Sequence, residues 1–89
     1  MNSINKFVWL PRFRWDYKKL SPQFQNRINQ ALLKMERDLK YPSLETKKLK
    51  GTNSIWEVST SKSLRITFNL KGKSITLRTV GEHKILNRP

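Results

Sequence analysis

Two strand-like runs near the C-terminus, 64–70 and 75–80, carry Arg65 and Arg78, and the second leads to the chain's one histidine, His83. Successive side chains of a strand face opposite sides, so Leu64, Ile66, Phe68 and Leu70 line one face while Arg65, Thr67 and Asn69 line the other. Guanidinium groups hold phosphate oxygens through charge-assisted hydrogen bonds, and an imidazole can move a proton near neutral pH. A phosphodiester suits such a surface; a small apolar ligand does not. The same alternation in the run 55–60 turns Trp56 and Val58 inward and Glu57 and Ser59 outward, although Ile55 joins the outward set. The polar face therefore carries Glu57, Arg65 and Arg78. Lys47, Lys48 and Lys50, in a polar connection, and His83, after the last strand, lie where loops would border it.

The elements that must position these residues are legible from spacing. Residues 4–10 read as a short strand stopped by Pro11, and Leu10, Phe13, Tyr17 and Leu20 recur at the spacing of a short amphipathic helix. Ser21-Pro22 then supplies a helix cap followed by proline at the first helical position. Phe24, Ile28, Ala31, Leu32, Met35 and Leu39 form the apolar stripe of the second helix, and Pro42 prevents continuation much past Lys40. Three strands follow, the last two joined through Lys71-Gly72-Lys73, a short glycine-bearing connection. In the last strand Ile75 and Leu77 go inward and Thr76 and Arg78 outward, which sends Val80 outward as well, a misfit for either a bulge or the end of the strand to absorb. This succession predicts an α+β fold, β-α-α-β-β-β, with two N-terminal helices packed on one face of a small antiparallel sheet.

Composition narrows the partner class. The 89 residues carry 19 Lys+Arg against 6 Asp+Glu, a net charge of +13. Polyanions are the expected partners: nucleic acid first, an acidic protein second, an anionic membrane surface third. No apolar run approaches the roughly 20 residues of a spanning helix, and no secretory signal is recognisable at the N-terminus, so a cytoplasmic protein is expected. Without cysteine there is neither a disulfide frame nor a Cys-based zinc site. Basic residues number 9 in the segment 1–42 and 10 in 43–89, so the charge belongs to one folded body spanning residues 1–89.

The succession Phe13-Arg-Trp-Asp-Tyr-Lys-Lys-Leu20, the long helix, Lys48-Leu-Lys-Gly51, Ile55-Trp-Glu57, Leu64-Arg-Ile-Thr-Phe68 and Val80-Gly-Glu-His83 resembles the RelE/ParE superfamily of toxins from type II toxin–antitoxin systems. The resemblance spans nearly the whole chain and is nearest to the RelE, YafQ and YoeB mRNA interferases. It implies an active surface on the concave face of the sheet, metal-free endoribonuclease cleavage of ribosome-bound mRNA with inhibition of translation, no cofactor, and an acidic antitoxin that binds the toxin in a hetero-oligomer. By the resemblance His83 is the general acid or base, Glu57 its partner base, Arg65 the phosphate clamp with Arg78 sharing that role, and Lys47, Lys48 and Lys50 the basic segment that holds RNA. Two features depart from the pattern: there is no second histidine, and the segment 84–89 lacks the tyrosine or phenylalanine that stacks on a base in related toxins. Two other readings stand beside this one, a ParE-like inhibitor of DNA gyrase and a non-catalytic nucleic-acid-binding module.

Overall fold

Pro11 ends the first strand because its ring removes a backbone donor, and the chain turns directly into a helix that begins at that proline. In the computed structural model, which describes residues 4–51, 54–60 and 63–82, strand β1 is Lys6–Trp9 and helix α1 is Pro11–Lys19. Helix α2, Pro22–Arg37, starts as its sequence predicts, with the Ser21 hydroxyl accepting from the Phe24 amide at 3.3 Å. A single 3-10 turn, Pro42–Leu44, leads to β2 (Lys47–Lys48), followed by β3 (Ile55–Ser59), β4 (Leu64–Lys71) and β5 (Ser74–Glu82). Gly72, with φ at 60°, opens the two-residue turn between β4 and β5, a backbone conformation that glycine adopts without steric cost.

The strands form one five-stranded sheet in the order β1-β5-β4-β3-β2. From β2 to β5 the pairing is antiparallel, but β1 lies parallel to β5, so the sheet is mixed. The reason is topological. The two helices carry the chain from one edge of the sheet to the other, and the meander that returns delivers β5 alongside β1 in the same direction. β2, within what reads from sequence as a loop, forms the far edge. Two lysines on an exposed edge strand also discourage pairing with another chain.

Both helices cover the same face. Phe13 of α1 and Ile28, Ala31 and Met35 of α2 are buried with Leu39 and Leu44 against Val58, Leu64, Ile66, Phe68, Ile75, Leu77 and Val80 of the sheet. Phe24, Leu32 and Leu70, expected in the core, pack at its margin. Tyr17 ties the helices together: its hydroxyl donates to Asn29 Oδ1 at 2.8 Å, and its carbonyl accepts from Gln25 Nε2 at 2.9 Å.

A bulge resolves the inconsistency at Val80. Thr67 pairs with Thr79 whereas Phe68 pairs with Leu77, which leaves Arg78 as an extra residue in β5. The alternation is thereby reset, and Val80 is buried opposite Ile66.

Candidate nucleic-acid interface

The register sorts the open face, the one away from the helices, into lateral rows. Lys47 of β2, Glu57 of β3, Thr67 of β4 and Thr79 of β5 stand side by side across four strands. The next row toward the β5 terminus is Ser59, Arg65 and Gly81; the row on the other side is Ile55, Asn69 and Thr76. Among the described residues of these three central strands, Glu57 is the carboxylate on this face, since Glu82 stands opposite Leu64 and so belongs to the other.

Glu57 is almost fully covered, with 7% of its side chain exposed. Its Oε1 lies 3.7 Å from Arg65 Nε and 3.7 Å from Lys47 Nζ. A carboxylate withdrawn from water requires such compensation. The two cations differ in what they gain. Arg65, with 17% of its side chain exposed, is held between this carboxylate and the Leu64 carbonyl, to which Nη1 donates at 3.0 Å. Lys47, with 62% exposed, stays largely in water. Beside Glu57 the Thr67 and Thr79 hydroxyls hydrogen-bond to each other, so Thr67 is buried with its polar atom satisfied.

Arg78 is oriented by a separate chain of contacts. Its Nη1 donates to Asn69 Oδ1 at 3.0 Å, and Asn69 Nδ2 in turn donates to the Ser54 carbonyl at 2.9 Å and its hydroxyl at 3.0 Å. The amide thus has its oxygen toward the arginine and its nitrogen toward the β3 entrance. Arg65 and Asn69 are four residues apart on β4, roughly 13 Å along the strand. Two guanidinium groups, each fixed by its own partner, therefore bracket a pair of hydroxyls on one face. The arrangement can hold successive anionic groups of an extended polyanion, and it can place fixed positive charge against a phosphoryl group undergoing substitution.

No protein-family model matches the sequence, and no curated protein matches it. Solved structures do. A chain of the RelB–RelE antitoxin–toxin complex from Methanococcus jannaschii superposes with a TM-score of 0.74 at 20% identity, over 90% of this chain and 94% of that one. YafQ from E. coli gives a TM-score of 0.77 at 13% identity, over 90% and 94% of the two chains. The YoeB/ParE toxin from Agrobacterium tumefaciens gives 0.74 at 17% identity, over 89% and 99%. The chain has the fold of the RelE, YafQ and YoeB toxins.

On this RelE-type fold the residues picked out from sequence are only partly brought together. Arg65, Arg78, Glu57 and Lys47 share the open face. Lys48 does not: it stands opposite Trp56, whose alternation belongs to the helix side, so the expectation that it borders the arginines is corrected by the β2–β3 register. Lys50 is exposed beside Gly51, whose φ of 78° closes the turn after β2. His83 lies outside the described residues; in the chain it follows Glu82 and is two residues beyond Gly81.

Sequence reasoning assigned no site role to Asp16, yet it supports this face from behind. β1 accompanies β5 only from Ser74 to Leu77, and beyond that point Asp16 Oδ2 accepts the Val80 amide at 3.3 Å. Arg12 holds the same carboxylate at 3.1 Å. The sequence signal was the i, i+4 pair Arg12/Asp16, which by itself reads as an ordinary helix-surface contact. No helix among the described residues is long and apolar enough to cross a membrane.

Proposed function

We propose that this protein is the toxin of a type II toxin–antitoxin pair and that it cuts ribosome-bound mRNA in the cytoplasm, with an acidic antitoxin as its partner. The observation that carries the reading is Arg65, locked by the buried Glu57 on the open face of a fold shared with RelE, YafQ and YoeB. In the reaction the 2′-oxygen of the RNA bonds to phosphorus and the bond to the 5′-oxygen breaks. The products are a 2′,3′-cyclic phosphate and a 5′-hydroxyl. Arg65 stabilises the negative charge that accumulates on the phosphoryl oxygens, and Arg78 holds a neighbouring phosphate of the same strand. His83 donates the proton that the departing 5′-oxygen takes up, and water accepts the proton released by the 2′-hydroxyl. Lys47 and Lys50 add to the attraction of the RNA backbone.

Glu57 takes a different role from the base expected of it. A proton acceptor must come within hydrogen-bond reach of the substrate hydroxyl, and a carboxylate with 7% exposure facing two cations is poorly placed to do so. It is a positioning residue for Arg65.

Mapping mRNA 5′ ends after a short pulse of expression tests the proposal. Cuts inside translated frames, bearing 5′-hydroxyls and absent in Arg65→Ala and His83→Ala, are expected. Intact mRNA in cells that demonstrably contain the wild-type protein overturns it, and loss of DNA supercoiling in those cells would identify gyrase as the target instead.

A further inference from the structure

Thr67 and Thr79 face each other across β4 and β5 on the open face, and their hydroxyls share a hydrogen bond. The bulge is what puts Thr79 there. With Ile75 and Leu77 inward, strict alternation would turn position 79 inward as well, and the extra residue Arg78 reverses it. The two hydroxyls are not equivalent. Thr67 is buried at 7% exposure, and Thr79 Oγ1 is the one hydrogen-bond partner of its side chain among the described residues. Thr79 is half-buried. A hydroxyl has one proton to donate and lone pairs to accept with, and a buried donor left without an acceptor is costly. The direction of the bond follows: Thr67 donates to Thr79, which leaves the proton of Thr79 free to point out of the sheet. A pair of valines would fill the same space with no polar atom to satisfy, so packing alone does not call for hydroxyls here. Their surroundings are cationic. Arg65 precedes Thr67 by two residues on the same face of β4, and its Nε lies 3.7 Å from Oε1 of Glu57, which stands in the same row as the threonines. Arg78 is the chain neighbour of Thr79.

We propose that Thr79 is a substrate-contacting residue whose hydroxyl donates to a non-bridging oxygen of the phosphodiester held by Arg65, and that Thr67 is the positioning residue that turns this proton outward. The inference rests on the nuclease reading above and adds a neutral donor to its guanidinium groups. As the 2′-oxygen bonds to phosphorus, negative charge grows on the non-bridging oxygens, and a donor fixed beforehand strengthens its hold without reorganising. Thr79 keeps its proton throughout; the protons that move are those of the 2′-hydroxyl, taken by water, and of His83, given to the departing 5′-oxygen.

The test compares wild type with Thr79→Val, Thr79→Ser, Thr67→Val and the double variant Thr67→Val/Thr79→Val in three measurements: thermal unfolding, the single-turnover rate of mRNA cleavage on translating ribosomes, and binding of a 2′-O-methyl oligoribonucleotide, which cannot form the cyclic phosphate. Cleavage is expected to fall about 100-fold in Thr79→Val, with oligonucleotide binding within about 3-fold of wild type, because the donor acts mainly on charge that grows in the transition state. Thr79→Ser keeps the hydroxyl and should cleave within about 3-fold of wild type. Thr67→Val should slow cleavage about 10-fold alone yet add nothing in the Thr79→Val background, since Thr67 acts only through Thr79. Tm is expected to fall in Thr79→Val, which strands the buried Thr67 donor, and to recover in the double variant, where neither hydroxyl remains. The double variant therefore carries the cleavage test even if Thr79→Val fails to fold. Wild-type cleavage in the double variant overturns the inference while leaving the nuclease reading in place. So does a loss in Thr79→Ser as deep as in Thr79→Val, or a Thr67→Val effect that persists on top of Thr79→Val. A Tm drop in Thr67→Val as large as that in Thr79→Val reverses the direction of the hydrogen bond and overturns it too. A wild-type protein that leaves ribosome-bound mRNA uncut removes both proposals.

Discussion

Replacing Glu57 by glutamine separates a positioning carboxylate from a proton acceptor, and its cost can be worked from the geometry. At 3.7 Å and an effective dielectric constant of about 20, each cation attracts the carboxylate by roughly 4–5 kcal/mol before desolvation is counted. Most of that is offset by taking the ions out of water. Removing one partner of a fully buried pair costs about 3–5 kcal/mol, whereas an exposed pair contributes about 0–1 kcal/mol. Arg65 is partly exposed, and its separation from Glu57 exceeds that of a direct charge-assisted hydrogen bond, so about 2 kcal/mol is expected for Glu57→Gln, nearly all of it through Arg65. With about 2.1 cal/mol/K of unfolding entropy per residue, an 89-residue chain should lose about 10 °C in Tm. Lys47→Gln should cost less than about 1 kcal/mol and become neutral in high salt. A double-mutant cycle between Glu57→Gln and Arg65→Gln should show coupling of at least about 1 kcal/mol. Additivity within about 0.5 kcal/mol would refute the reasoning. In cleavage assays the same variant should lower the rate at every pH and leave the shape of the pH–rate profile unchanged. Loss of the acidic limb would instead assign Glu57 to proton transfer.

Other contacts give further expected outcomes. Asp16→Ala should destabilise the chain by about 1–2 kcal/mol and speed hydrogen exchange at the Val80 amide, because the freed donor lies in a part of the β5 edge that β1 does not cover. Unchanged exchange there would show that the cap carries no weight. Glu45→Gly should raise stability by about 0.5–1 kcal/mol, measured by denaturant unfolding, since Glu45 occupies the left-handed region with φ at 47°. Phe68→Ala should cost about 3–5 kcal/mol, as expected for a fully buried ring beneath the sheet, and a midpoint shift worth less than 1 kcal/mol would mean that the core is packed differently.

The helices were legible because their signals are local: a serine–proline start, an apolar stripe at helical spacing, and a proline beyond the end. The central strands were legible for the same reason, as alternation in Leu64, Ile66 and Phe68 identifies the buried face without reference to any partner. What escaped depends on partners distant in sequence. The bulge at Arg78 is visible only as a misfit at Val80 until the register with β4 is known. The parallel pairing of β1 follows from the path of the whole chain, and β2 is too short to show a period. Among site residues, the face of Arg65 and Arg78 was readable, but the burial of Glu57 was not. A glutamate in a strand looks solvent-facing until the cations from β2 and β4 are seen to converge on it.

The placement of the arginines follows from how the sheet changes character along β5. Up to Leu77 this strand is sandwiched between β1 and β4 and is fixed on both edges by backbone hydrogen bonds. At Arg78 the bulge adds a residue, and bulges bend their strand and sharpen its twist. Past it, β1 is gone and a side chain of α1 replaces it at Val80. The bulge thus lies between the part of the sheet that carries Arg65, Thr79 and Gly81 and the part that carries Thr76 and Asn69. Arg78, at the joint, reaches back to Asn69 while Arg65 lies on the far side. Among the described residues of β3, β4 and β5, Glu57 is the carboxylate on this face beside Lys47, Arg65 and Arg78, and it holds Arg65 in position. Positive charge therefore remains in excess at a site whose geometry is set by buried contacts. If the proposed function holds, an acidic partner that silences the protein through this face displaces RNA from the same guanidinium groups, and its binding should weaken with salt in parallel with RNA binding.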